Sequence, residues 1–210
     1  LIFAGVARLQ PSNARRLVID IGGRSTEMIL GQGRKPLRAE SFQVGSVSLS
    51  LKYFGDGRYT EQAFRQAQVA AGAELEEALE PFAAAHWQEA LGSSGTVGAV
   101  SQLLAASGIS DGRITPDGLR WLMEQCLRAG SVDKLALPAL KDDRRAVIGG
   151  GLAILYTLAA HFDIAELMPA RGALRQGVIF DLDERRHATE LRQDGHDIRD
   201  ASVRELQRRF

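Results

Sequence analysis

The stretch Leu17-Val18-Ile19-Asp20-Ile21-Gly22-Gly23-Arg24-Ser25-Thr26-Glu27-Met28-Ile29-Leu30-Gly31 decides how the rest of the chain is read. Leu17 to Ile21 is an apolar run carrying one carboxylate, Gly22-Gly23 closes it, and Met28 to Gly31 follows at once. Two strands joined by a tight glycine turn are predicted. Leu37 to Val44 supplies a third strand and completes an antiparallel meander. The hairpin sets Asp20 and Glu27 on adjacent strands, where two carboxylates can share a hydrated divalent cation, the usual partner of a bound phosphate. Glycines without a Cβ let backbone N–H groups close on an oxyanion, and Ser25 and Thr26 add hydroxyl donors. A lone Asp-x-Gly-Gly reads first as a surface turn whose Asp and Ser satisfy backbone groups. The full string from Asp20 to Glu27 favours a phosphate-and-metal site.

Working outward, Thr60 is an N-cap followed by Phe64, Ala67, Ala71, Leu75, Ala78, Leu79 and Phe82, an apolar stripe at three-and-four spacing that predicts a helix ending near Pro81. Ala90-Leu91 runs into Gly92-Ser93-Ser94-Gly95-Thr96, with a helix from Val97 to Ala106. Thr115-Pro116 opens another, with Leu119, Leu122, Met123, Cys126 and Leu127 on one face. Ala146 to Ala160 is almost wholly apolar, shorter than the ~20 residues of a membrane span and interrupted by Gly149-Gly150-Gly151, so a buried helix is predicted. Ile164 to Met168 is a short strand and Gly172 to Phe180 a final helix. Strands followed by strand–helix units give an α/β class, a mixed sheet flanked by helices.

Two more glycine turns precede helices. Gly92 to Thr96 is an anion cradle in outline, since free N–H groups and the positive end of the helix dipole converge there. Gly45-Ser46-Val47-Ser48 is another. Capping alone explains either one singly; three such turns in one chain point to phosphate.

The chain has 210 residues, 26 Lys+Arg against 26 Asp+Glu, and 45% hydrophobic residues. That is enough for a substantial core, and the zero balance argues against a surface built to coat a nucleic-acid polymer. Cys126 is alone, so no intrachain disulfide exists, and a cytoplasmic location is expected. Its place on an apolar stripe makes it a buried hydrophobe. His86, His161, His187 and His196 lack metal-ligand spacing, and Trp87 and Trp121 fit packing. Leu1-Ile2-Phe3-Ala4-Gly5 has neither Met nor the flanks of a signal peptide, and reads as cut from something longer. From Asp181 to Phe210 the chain is dense in Arg, Asp and Glu, as at the start of another region.

Asp20 to Glu27, Gly45-Ser46-Val47, Gly92 to Thr96, Arg144 ahead of Gly151-Leu152-Ala153-Ile154-Leu155, and Gly172-Ala173-Leu174-Arg175-Gln176-Gly177 resemble, in order and spacing, the successive motifs of the exopolyphosphatase / guanosine pentaphosphate phosphohydrolase (Ppx/GppA) family. The resemblance covers about residues 1–183 and implies the second ribonuclease H-like lobe of an actin-like ATPase superfamily fold, with 184–210 the start of a truncated C-terminal helical region. It implies Mg²⁺-dependent hydrolysis of a terminal phosphoanhydride in polyphosphate or guanosine pentaphosphate. Asp20 and Glu27 would be catalytic and hold the metal, while Gly22, Gly23, Arg24, Ser25, Thr26, Gly45, Ser46, Ser94, Gly95, Thr96 and Arg144 would hold phosphate. Arg24 stands where the family usually has a third glycine; its guanidinium either pairs with phosphate or points into solvent. Gln176 replaces a common family glutamate. The family's first phosphate motif and its proposed catalytic base lie upstream of the residue matching Leu1, so this chain is expected to hold half a cleft, to be inactive alone, and to work within a longer, homodimeric protein. An actin-like superfamily kinase or ATPase lobe, with an adenosine pocket beside Gly92 to Thr96, and a non-catalytic polyphosphate- or nucleotide-sensing module are the alternatives.

Overall fold

Strands β1 (Arg15–Ile21), β2 (Thr26–Gln32) and β3 (Lys35–Phe42) form the expected antiparallel meander. This computed structural model describes residues 1–187. Strands β4 (Glu89–Gly92) and β5 (Leu167–Pro169) lie beyond β1, both parallel to it, in the sheet order β3-β2-β1-β4-β5. The mixed sheet matches the class read from the chain.

Side chains alternate across a strand, and β1 is buried on both faces. Leu17, Ile19 and Ile21 face the larger layer, made by α2 (Ser46–Tyr53), α3 (Glu61–Glu74), α4 (Gly95–Ala106), α5 (Pro116–Ala129) and α7 (Ile148–His161). A single turn, α6 (Asp142–Arg145), leads into α7. The apolar run from Ala146 becomes α7, central to this layer against α2, α3 and α5, with Leu152, Ala153 and Ile154 wholly buried. No helix among the described residues is long and apolar enough to cross a membrane. Thr60 and Thr115 cap α3 and α5 as predicted, accepting from the N–H groups of Ala63 and Gly118.

The opposite face is covered by α1 (Ile2–Leu9), whose Phe3, Val6 and Ala7 pack on Val18, Ile29 and Leu91. Residues 174–187 form a last helix, α8. It crosses α1 so closely that a Cβ at Gly5 would collide with the Ala173 carbonyl and one at Gly177 with that of Leu1. Glu184 then pairs with Arg8 at 2.7 Å. The expected boundary after residue 183 falls inside this helix, and 188–210, with His196, lie outside the described residues.

Three elements differ from expectation. Helix α3 stops at Glu74 instead of near Pro81, and a 3₁₀ turn over Glu76–Ala78 follows. Glu74, Glu76 and Glu77 crowd carboxylates at the negative end of the helix dipole, while Leu75, Ala78 and Phe82 reach the core without further helix. Strand β5 begins at Leu167, because the chain turns at Asp163, whose φ is 51°. Strand β3 carries a bulge: Gly31 pairs with Pro36 but Leu30 with Arg38, leaving Leu37 as the extra residue.

Leu152→Ala is expected to cost about 2–5 kcal/mol in urea denaturation, whereas Val69→Ala on exposed α3 surface should stay within about 0.5 kcal/mol.

Candidate functional site

At the carboxyl ends of β1 and β4, on the face that α1 covers, a row of polar side chains crosses four strands. Asp20 and Glu27 are register partners, as the hairpin predicts, and Glu27 is in turn the partner of Ser41 on β3. Ser93, just past β4, completes the row beside Asp20. Its Oγ donates to Asp20 Oδ2 at 2.9 Å. Glu27 Oε1 accepts from Ser25 Oγ at 2.7 Å and from Ser41 Oγ at 2.8 Å. Each carboxylate therefore has one oxygen held by hydroxyls and one with no donor among the described residues.

Asp20 is half-buried, and its carboxyl lies above the ordinary carboxylate range. Desolvation is the main cause, the Ser93 hydrogen bond works against it, and the nearby charge of Glu27 adds to it. Like charges directly opposite on neighbouring strands are destabilising, so this pair is built at a cost to the fold. No group of three or more acidic, His or Cys side chains with metal-holding geometry occurs among the described residues. Two carboxylates are what Mg²⁺ commonly takes from a protein, with waters and phosphate oxygens completing its shell.

The three glycine turns separate into two kinds. In the β1–β2 turn the N–H groups of Gly23, Arg24 and Ser25 donate to no described residue, while Gly22 N–H closes the turn on Ser25 O at 2.8 Å. At the start of α4, Ser94 caps through its side chain to Val97 N–H, and the N–H groups of Ser94, Gly95 and Thr96 have no partner among the described residues. The Arg144 guanidinium lies directly over Gly95, within 3.1 Å of where a Cβ would sit. A cation at the positive end of a helix is unfavourable unless an anion lies between them. This arrangement suits phosphate. Arg24 is exposed and makes no ion pair with a described residue.

The start of α2 is of the other kind. Ser46 N–H donates to Gly22 O at 2.9 Å, and Val47 and Ser48 N–H both donate to Gly23 O at 3.0 Å. The turn expected as a phosphate cradle instead clamps the β1–β2 turn. Gly45 is required there, since a Cβ would collide with the backbone of Gly23 and Arg24. Three expected phosphate contacts have their hydroxyls engaged internally: Ser46 Oγ donates to Gly22 O, Thr26 Oγ1 to Val44 O at 2.6 Å on the opposite sheet face, and Thr96 Oγ1 to Ile21 O at 3.2 Å. They fix the turns to each other.

The Ppx/GppA phosphatase family model matches residues 1–186. The chain belongs to the Ppx/GppA phosphatase family. It is 40% identical over 191 residues to a Haemophilus influenzae protein named "Putative exopolyphosphatase", matching 91% of this chain and 59% of that protein. It is 38% identical over 191 residues to a guanosine-5'-triphosphate,3'-diphosphate pyrophosphatase of Aeromonas hydrophila, matching 91% of this chain and 38% of that one. The chain thus spans less than two thirds of the length of these curated relatives. Among solved structures, the Aquifex aeolicus Ppx/GppA phosphatase superposes with a TM-score of 0.72 at 21% identity over 85% of this chain and 60% of that one. An exopolyphosphatase from Cytophaga hutchinsonii gives 0.72 at 19% identity over 86% and 61%. These share the actin-like fold expected from the motifs.

Ser41 escaped the sequence reading of this Ppx/GppA chain, and Ser93 was seen only as part of a turn. The register that brings Ser41 to Glu27 depends on the bulge, which no local pattern announces. Cys126 is buried as expected, its thiol pushed up to about 12 by desolvation. Trp87 and Trp121 pack on the core, Trp87 donating to Phe82 O at 3.0 Å.

Because the folded-state pKa of Asp20 lies above that of an unfolded chain, ionising it costs stability as pH rises from the ordinary carboxylate range through the raised value. Asp20→Asn keeps an oxygen for Ser93 and removes the charge. Its melting temperature should exceed the parent's at pH 7, and the gain should vanish near pH 3, as followed by circular dichroism.

Proposed function

We propose that this chain forms one wall of the cleft of a Mg²⁺-dependent phosphoanhydride hydrolase acting on the terminal phosphate of inorganic polyphosphate or of guanosine pentaphosphate. The observation that carries the reading is the convergence of the Asp20–Glu27 pair with Arg144 and two sets of N–H groups that have no partner among the described residues. Names of the relatives supply the substrate classes. Asp20 and Glu27 would hold the metal, which supplies charge neutralisation and a polarised water when bound. The N–H groups of Gly23, Arg24 and Ser25, those of Ser94, Gly95 and Thr96, and the Arg144 guanidinium orient the phosphoryl oxygens and absorb charge that builds on them, which is most of what phosphoryl transfer asks of a protein.

In the step itself, a water oxygen bonds to the terminal phosphorus and the bridging P–O bond breaks. The shortened chain leaves with the bridging oxygen and its electron pair, and the water proton passes to a base. The family resemblance puts that base in a facing lobe, so turnover belongs to the intact, longer protein, read here as a cytoplasmic homodimer. The chain's neutral charge fits such an enzyme, because backbone dipoles and a cation catch the anion without a basic surface.

Glu27→Gln in the intact protein should reduce phosphate release by at least about a hundredfold, with polyphosphate binding by filter retention largely kept. Unchanged release would remove Glu27 from the mechanism, and a protein that binds but never releases phosphate would be a sensor. The 210-residue chain alone should release negligible phosphate in the same assay.

A further inference from the structure

We infer that Ser41 is a positioning residue that sets which oxygen of Glu27 faces the metal; this rests on the proposed metal-holding role of Glu27. Ser41 is exposed on β3, and the one side-chain hydrogen bond it makes among the described residues is the donation to Glu27 Oε1 at 2.8 Å. Ser25 donates to the same atom at 2.7 Å. Two hydroxyl protons on one carboxylate oxygen restrain the group and leave Oε2 as the oxygen with no donor among the described residues. Hydrogen bonds to an ionised acceptor are among the stronger ones, and an oriented carboxylate is what a metal needs from its ligand.

The two serines are not equivalent. Ser25 belongs to the turn whose N–H groups are offered to phosphate, so its hydroxyl lies beside whatever that turn binds. Ser41 stands on a strand paired along its length with β2, and holds Glu27 independently of the turn. The β3 bulge is what makes this possible. Continuing the pairing of Gln32 with Lys35 and Gly31 with Pro36 would have put Glu40 opposite Glu27, a third carboxylate in the row. The extra residue at Leu37 moves the register by one and puts a hydroxyl there instead.

The test uses the intact protein, with long-chain polyphosphate and Mg²⁺ for turnover and Mn²⁺ binding, followed by electron paramagnetic resonance, as a readout apart from activity. Ser41→Ala should lower kcat about tenfold and weaken Mn²⁺ about tenfold, the scale of losses from a ligand's supporting partner. KM should move less than twofold and the melting temperature should change little, because the side chain is exposed. Ser41→Thr, which keeps the hydroxyl, should restore both quantities. In a Glu27→Gln background, Ser41→Ala should add nothing. Parent-like kcat and Mn²⁺ affinity in Ser41→Ala, with both lost in Glu27→Gln, would overturn the inference and leave the proposed function standing. If Glu27→Gln alone spares both, the role of Glu27 fails and the inference with it. A Ser41→Ala loss that Ser41→Thr does not recover would also overturn it.

Discussion

Two carboxylates face each other across neighbouring antiparallel strands, and the surrounding architecture answers that constraint. Left alone, Asp20 and Glu27 would repel, and the half-burial of Asp20 makes its charge dearer still. The sheet holds them in place through register partners on both sides. Hydroxyls from a turn, from β3 and from the end of β4 offset part of the repulsion. A fold that keeps such a pair gives up stability for local chemistry, which is how binding and catalytic sites commonly differ from packing sites.

The glycine turns show why motif chemistry and motif architecture need separating. From sequence, Gly22-Gly23, Gly45-Ser46 and Gly95-Thr96 look alike, each a glycine within two residues of a hydroxyl and ahead of a helix or strand. In three dimensions the start of α2 has turned its N–H groups onto the carbonyls of Gly22 and Gly23, so one helix end caps the turn while another stays open. The buried hydroxyls of Thr26, Ser46 and Thr96 belong to that scaffold. Removing them would disturb the site through the shape of its loops, not through a lost contact with ligand.

Much of the fold was legible because its periodicities are long or sharply bounded. The alternation around Asp20, the capped stripes of α3 and α5, and the apolar run of α7 all declare themselves locally. Helix α1 did not, since eight residues display too few turns for Phe3, Val6 and Ala7 to stand out as a stripe. The end of α3 was misplaced because the apolar stripe continues through a 3₁₀ turn. In the site, Asp20 and Glu27 were legible because a tight hairpin fixes their register. Arg144 over Gly95 came only from family resemblance, since contacts across that much chain leave no trace in local pattern. Ser41 was hidden by the bulge.

That bulge also divides the kinds of change β3 can accept over evolution. Leu37 is more than half exposed, so almost any side chain fits there and the position is open to drift. What is not open is the way this residue is accommodated. Absorbed into regular pairing, Leu37 would move every later β3 residue back by one and set Glu40 opposite Glu27, whereas a strand lacking it would still place Arg38 opposite Leu30 and Ser41 opposite Glu27. The segment therefore tolerates substitution, and even loss, of the bulged residue but not its flattening into the ladder, so the residue that ends up opposite Glu27 marks relatives that keep this carboxylate pair in working order better than the length of the segment does.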